Sequence, residues 1–163
     1  MQTLVEFMNR DRLKKYKVRV YNYFPETYNE LKDIVRQLVS ERGLNADLND
    51  IDTSKITDMS YLFFGWGTIK DFDGDISEWD VSNVTKMEAM FYNCKNFTGT
   101  CGGKNKNMLN GWDVKNCRIF AAMFEKSGFK GNIEDWIVKQ NADMEGMFHA
   151  CPLESNPPQW YKK

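Results

Sequence analysis

The sequence predicts an α/β fold, a short solenoid of about four coils closed at its N-terminal end by an α/β cap. Three observations predict it. A motif of about a dozen residues recurs along most of the chain, and an amphipathic helix with clear start and stop signals precedes the first copy. The composition, 42% hydrophobic and 28% charged over 163 residues, is that of one globular domain large enough to bury a core.

The cap occupies residues 1–47. A short helix is expected around 2–14, with Leu4, Val5 and Met8 on one face. KVRVYNYF (17–24) alternates and is rich in β formers, so it reads as a strand stopped by Pro25. Thr27 and Glu30 then form a capping box. The helix that follows, YNELKDIVRQLVSER, is expected to bury Tyr28, Leu31, Ile34, Val35 and Leu38, with Val39 at the margin. Gly43 closes it. A stack of repeats exposes an apolar face at its end, and this segment would cover it.

Residues 48–163 hold the repeats. WDVSNVTKMEAMF (79–91) aligns with IDTSKITDMSYLF (51–63), WDVKNCRIFAAMF (112–124) and WIVKQNADMEGMF (136–148). A second block, FDGDISEW (72–79), returns as FKGNIEDW (129–136) and as a degenerate LESNPPQW (153–160). Trp112, Trp136 and Trp160 stand 24 residues apart. The step from Ile51 to Trp79 is 28 residues and that from Trp79 to Trp112 is 33, so the extra residues form two insertions. Val81 and Val84 suit a short strand. Met87, Met90 and Phe91 share one face of a helical turn. Ala89, Ala122 and Gly146 are small where adjacent turns would approach. Gly74, Gly99 and Gly131 suggest a turn with positive φ. The Asp52, Asp80, Asp113 column suits turn capping, and Asn83 and Asn116 suit bonds to a neighbouring backbone. Met90, Met123 and Met147 are expected in the core.

The pattern WDVSNVTxMxxMF followed by FxGDIxxW resembles the BspA-like leucine-rich repeats of bacterial surface proteins, over about residues 48–160. The resemblance implies a leucine-rich-repeat-like solenoid of short parallel strands and short helices. It also implies repeats that are adhesive or protein-binding and carry no catalytic residues. Those surface proteins carry export signals, whereas MQTLVEFMNRDRLKKYKVRV has no signal-peptide h-region. A chain complete at Met1 is therefore expected in the cytoplasm, or in a host cell's cytoplasm if phage-encoded.

Charge and cysteine usage narrow the chemistry. A net charge of −1 argues against binding to nucleic acid or anionic lipid, which need excess Lys and Arg. No run of apolar residues approaches a membrane span. Cys94, Cys101, Cys117 and Cys151 form no CxxC pair and read as reduced thiols, so neither a zinc site with His149 nor a Cys–His nucleophile is expected. DFDGDISEWD (71–80) gathers five carboxylates, but Gly74 falls fourth rather than sixth in the run, and a solvated turn is expected instead of a calcium loop. No cofactor is expected.

The candidate contact residues are those that the repeat leaves free. Trp66 lies off-pattern between glycines in the first insertion. The second insertion, TCGGKNKN (100–107), offers Lys104 and Lys106 to an acidic partner. Two columns vary between units. One runs Ser54, Ser82, Lys115, Lys139 and the other Asp58, Lys86, Ile119, Asp143, with Ile119 apolar among charges. The periodic tryptophans are assigned to packing. The first expectation for function is a non-enzymatic protein-binding module. Its most specific form is a phage- or mobile-element-encoded inhibitor of a host defence protein. The alternatives are an unexported relative or fragment of a surface adhesin and a calcium-binding module.

Overall fold

The computed structural model describes residues 19–64, 67–105 and 107–162. The helix expected around 2–14 lies outside them, as do the first two residues of the strand expected over 17–24.

Helix α1, Tyr28–Arg42, forms where the capping signals put it. Thr27 is extended (φ −127°, ψ 160°), and its hydroxyl accepts the Glu30 N–H at 3.3 Å. The Glu30 carboxylate accepts the N–H groups of Thr27 and Glu26 in return, at 3.2 and 2.7 Å, so donors left over at the helix start are satisfied. Gly43 ends the helix at φ 89°. Leu31, Val35, Leu38 and Val39 are buried, while Tyr28 and Ile34 are partly so. The far end of α1 is fastened by a forked ion pair, with Arg42 Nη1 and Nη2 at 2.8 and 2.9 Å from the two oxygens of Asp50. The expected strand before the helix shrinks to a single bridge, Tyr23 to Ile51.

The α/β solenoid expected from the repeats is not what forms. Among the described residues there is one α-helix, two short 3-10 turns (Gly67–Asp71 and Pro152–Glu154) and no strand, only five isolated parallel bridges. Three of the bridges join Asp58 to Lys86, Lys86 to Ile119 and Ile119 to Asp143, one residue from each repeat.

A left-handed residue in every repeat explains why no strand grows from these bridges. Tyr61, Ala89, Ala122 and Gly146, each three residues past its bridge, have φ of 61°, 48°, 52° and 63°. A second column, Asn93, Lys126 and Ala150, repeats the conformation at 57°, 56° and 54°. Extended pairing cannot continue through such residues. The chain bends, and the segment after each bridge becomes a rung that bonds to the next rung rather than along itself.

The N–H groups of Met87, Ala89, Phe91 and Asn93 donate to the carbonyls of Ile119, Ala121, Met123 and Glu125. Those of Phe120, Ala122, Phe124 and Lys126 donate in turn to Asp143, Glu145, Met147 and His149. The expected helical turn at Met87–Phe91 is therefore an inter-rung turn. Its three apolar residues are still fully buried, because rung spacing serves the core as well as helical spacing would.

The core is a stack of flat rings. Phe63, Phe91, Phe124 and Phe148 follow one another at 5.1, 5.6 and 5.9 Å with interplanar angles of 11°, 1° and 3°. Phe72, Phe97 and Phe129 run beside them at 6.5 and 6.0 Å. The tryptophans of the third, fourth and last units stack as well, Trp112 to Trp136 at 6.4 Å and Trp136 to Trp160 at 6.1 Å. Each indole N–H donates to a carbonyl at least 27 residues back: Trp79 to Leu48, Trp112 to Ile76, Trp136 to Leu109 and Trp160 to Ile133. The assignment of these tryptophans to packing therefore holds.

The glycine column has a different reason from the expected one. Only Gly99 has positive φ (69°). A Cβ on Gly74 would lie 2.1 Å from the carbonyl oxygen of Ala46, so close approach of neighbouring units excludes a side chain there. The acid columns do cap turns. Asp52, Asp80 and Asp113 accept the N–H of Ser54, Ser82 and Lys115 at 3.0, 3.0 and 3.3 Å. Asn83 and Asn116 reach back to the carbonyls of Ser54 and Ser82 at 2.8 and 2.7 Å.

Met90, Met123 and Met147 are all fully buried. Met123→Ala should cost about 2–4 kcal/mol in chemical denaturation, through lost transfer energy and the cavity left behind. A second expectation concerns acid. Hydrogen bonds from Ser82 hold the Asp80 carboxyl below the usual aspartate range, and the Arg42 fork does the same for Asp50. A lowered folded-state pKa gives stability that is present above the unfolded value, about 3.9, and lost as pH falls through the folded one. Calorimetry should find these carboxylates contributing nothing to pH dependence between about pH 5 and 7, and a melting temperature that drops below about pH 4.

Candidate protein-contact site

The bridge ladder places the second variable column in register, so Lys86 and Ile119 stand on adjacent rungs as expected. Lys86 is exposed and lies 4.0 Å from Asp58, while Ile119 is half-buried. The other column is less free than its variability suggested. The Ser82 hydroxyl bonds Asp80 at 2.6 Å, Lys115 pairs with Asp113 at 3.7 Å, and Lys139 is half-buried. Trp66 and Lys106 lie outside the described residues.

The second insertion is fastened by hydrogen bonds. Cys101, Gly102 and Gly103 take φ of 48°, 65° and 87° in succession, which winds the loop tightly. Asp73 accepts the Gly102 N–H at 2.9 Å and the Thr98 N–H and hydroxyl at 2.9 and 3.0 Å. Thr100 accepts the Gly103 N–H, and Asn132 donates to Asn107, both at 2.9 Å. Exposed Lys104 is carried on this base, which is tied to residues 73, 98 and 132.

The acidic run at 71–80 is largely committed to structure. Asp73 is buried beneath the loop, Asp75 caps Ser77 at 2.9 Å and Asp80 caps Ser82. Among the described residues no group of three or more His, Cys, Asp or Glu side chains is placed to hold a metal ion.

The feature that the sequence reading missed is an exposed aromatic cluster on the rung turns. Tyr61 and Phe64 are 42% and 41% exposed. They meet edge to face at 5.7 Å, and Phe64 meets Tyr92 on the next rung at 5.5 Å. Two charged side chains fix the rim. Glu88 accepts the Tyr61 hydroxyl at 2.7 Å, which raises the Tyr61 pKa. Lys126 sits 5.2 Å over the Tyr92 ring, bonds its hydroxyl at 2.9 Å and pairs with Glu125 at 3.2 Å. Tyr61 is held outward by its left-handed backbone at a position where later rungs carry Ala or Gly. A signal for it was present. The column after the core phenylalanines reads Phe64, Tyr92, Glu125, His149, aromatic in two adjacent units and polar in the others.

All four cysteines are free thiols. Burial pushes Cys94 up to about 12 and Cys117 up to about 11, and it raises Cys101 and Cys151 as well. They stay protonated at neutral pH, which makes them poor nucleophiles. His149 pairs with Glu154 at 3.3 Å.

The model of the DUF285 family, described as Mycoplasma protein of unknown function, matches residues 29–160. The chain belongs to that family, and the match covers α1 from its second residue onward and all the rungs. Neither a curated protein nor a solved structure matches the chain. No helix among the described residues is long and apolar enough to cross a membrane.

Cys101 is the one cysteine that is not fully buried. A thiol reagent added to the native protein should label it first, by a factor of about ten or more over the other three, which should react only on unfolding. Mass spectrometry of labelled peptides would check this, and equal labelling of Cys94 would contradict the packing of the Phe91 rung.

Proposed function

We propose that the chain is a non-enzymatic protein-binding module whose contact surface is the aromatic turn face of the first two rungs. The observation that carries this is the exposure of Tyr61 and Phe64 in a protein whose other phenylalanine rings, Phe24 apart, are buried among the described residues. Exposed aromatics held by backbone and neighbours lose little entropy on binding, and such residues dominate binding energy at interfaces. Lys86 and Glu88 on the second rung would supply the polar rim that excludes water from the anchors.

The resemblance to adhesive, protein-binding repeats supports the same class of function. The raised thiol pKa values support a non-catalytic role, and free cysteines suit a reducing compartment such as the cytoplasm. The partner expected is a protein with an apolar pocket flanked by charge.

The test is capture of partners from lysate by the wild-type chain and by a Tyr61→Ala, Phe64→Ala variant. Alanine already stands in the left-handed conformation at positions 89 and 122, so Tyr61→Ala keeps a backbone that the fold tolerates. Each truncation should weaken a stoichiometric partner by about 1–2 kcal/mol, or roughly thirtyfold or more together. Circular dichroism should be unchanged. A partner retained equally by both proteins would move the contact surface elsewhere.

A further inference from the structure

The outward rings of the first two rungs sit in equivalent places but are not equally covered. Phe64 follows Phe63 as Tyr92 follows Phe91. Each closes the same turn, its N–H donating at 3.1 Å to the carbonyl three residues back, that of Tyr61 or of Ala89. Tyr92 carries a cation. Lys126, from the next rung, places its ammonium 5.2 Å above the ring centroid, within cation–π range, and bonds the hydroxyl at 2.9 Å.

The residue of the second rung that corresponds to Lys126 is Asn93. Both are left-handed, at φ 56° and 57°, and both donate their N–H to the following rung, Asn93 to Glu125 and Lys126 to His149. Asn93 is exposed and brings no charge to Phe64. Phe64 is therefore left 41% exposed beside Tyr61 and Tyr92, and among the described residues no cation lies over it.

The charges around it are unbalanced in the matching sense. Asp58 pairs with Lys86 at 4.0 Å and Glu125 with Lys126 at 3.2 Å. Glu88 is the charge on these three rungs that has no ion pair among the described residues. It accepts the Tyr61 hydroxyl at 2.7 Å, and Tyr61 meets Phe64 edge to face. Tyr61 thereby ties a carboxylate without a counter-ion to the uncovered ring.

We infer that the partner lays a basic side chain, lysine or arginine, over Phe64, with its charge answered by Glu88. The inference rests on the aromatic face being the contact surface, and it fixes as positive the charge that flanks the partner's apolar pocket. The template is Lys126 on Tyr92, one rung further on. The ring supplies the quadrupole that attracts the cation, and the carboxylate beside it selects the sign.

The site is tested first without a partner. Asn93→Lys places a lysine one rung before the position where the fold already holds one in the same left-handed conformation. In carbon–proton NMR spectra the ε-methylene of the introduced side chain should lie upfield of an exposed lysine's, because it sits over the Phe64 ring. Phe64→Leu in the same chain should abolish that shift. An ε-methylene at the position of an exposed lysine, with Phe64 intact, would overturn the inference.

The second probe is a library of random peptides displayed on phage, panned on the wild-type chain and depleted on the Tyr61→Ala, Phe64→Ala variant. The peptides that depend on the face should carry a lysine or arginine beside an apolar residue. Glu88→Gln keeps an acceptor for the Tyr61 hydroxyl and removes the charge, so it should weaken them by about threefold or more. Asn93→Lys should weaken them as much, because its own ammonium occupies the ring, whereas neutral Asn93→Gln should bind them as the wild type does. Face-dependent peptides without a basic residue, or peptides indifferent to both Glu88→Gln and Asn93→Lys, would overturn the inference and leave the aromatic face standing as a contact surface. A library with no peptide that distinguishes the wild type from the double variant would overturn both.

Discussion

The structure depends on the left-handed residue that follows each bridge. At Tyr61, Ala89, Ala122 and Gly146 the chain is bent into a conformation that costs a non-glycine residue roughly 1 kcal/mol. That bend turns the backbone amides of each repeat out of its own plane and toward the next repeat. Ring stacking, register and polarity follow from it. Once the N–H of Phe91 is bonded to Met123, the Phe91 and Phe124 rings lie 5.6 Å apart and almost parallel. Two of the four bends carry alanine and one glycine, and only the first carries a large residue.

Cross-repeat hydrogen bonds from side chains then hold what the backbone starts. The indole N–H of each periodic tryptophan satisfies a carbonyl in the preceding unit, so a large apolar ring is buried without an orphaned donor. Asparagines 83 and 116 do the same at the surface. Asp71 and Asp73 are occupied in this way by Asn96 and Thr98, while Asp75 and Asp80 cap turns within their own unit. Asp73 in particular organises the 100–107 loop, so a carboxylate that looked available for a cation is spent on three N–H and O–H donors.

Such a stack leaves its turn side chains free of the core's demands. Along its side, side chains at the turns can vary without disturbing the core, and Tyr61, Phe64 and Tyr92 use that freedom.

The sequence by itself determined the period, the buried columns and the capping. Met90, Met123 and Met147, the indoles, the Asp52–Asp80–Asp113 caps and α1 with its Thr27–Glu30 box all follow from residue type and local spacing. Their partners lie either within a few residues or one repeat away. What the sequence did not determine was the state of the backbone between them. The spacing of Val81, Val84, Met87 and Met90 buries the same residues whether the chain runs as strand and helix or as bridge and turn. The choice fell to inter-rung hydrogen bonds that exist only after stacking. Tertiary structure also decided why Gly74 must be glycine, since the Ala46 carbonyl that excludes a side chain is 28 residues away. It decided, too, that Phe64 and Tyr92 stand outside the core while Phe63 and Phe91, one residue earlier, lie within it. A left-handed bend sets which way the next side chain points, and residue type alone does not encode that bend when the residue is tyrosine or alanine.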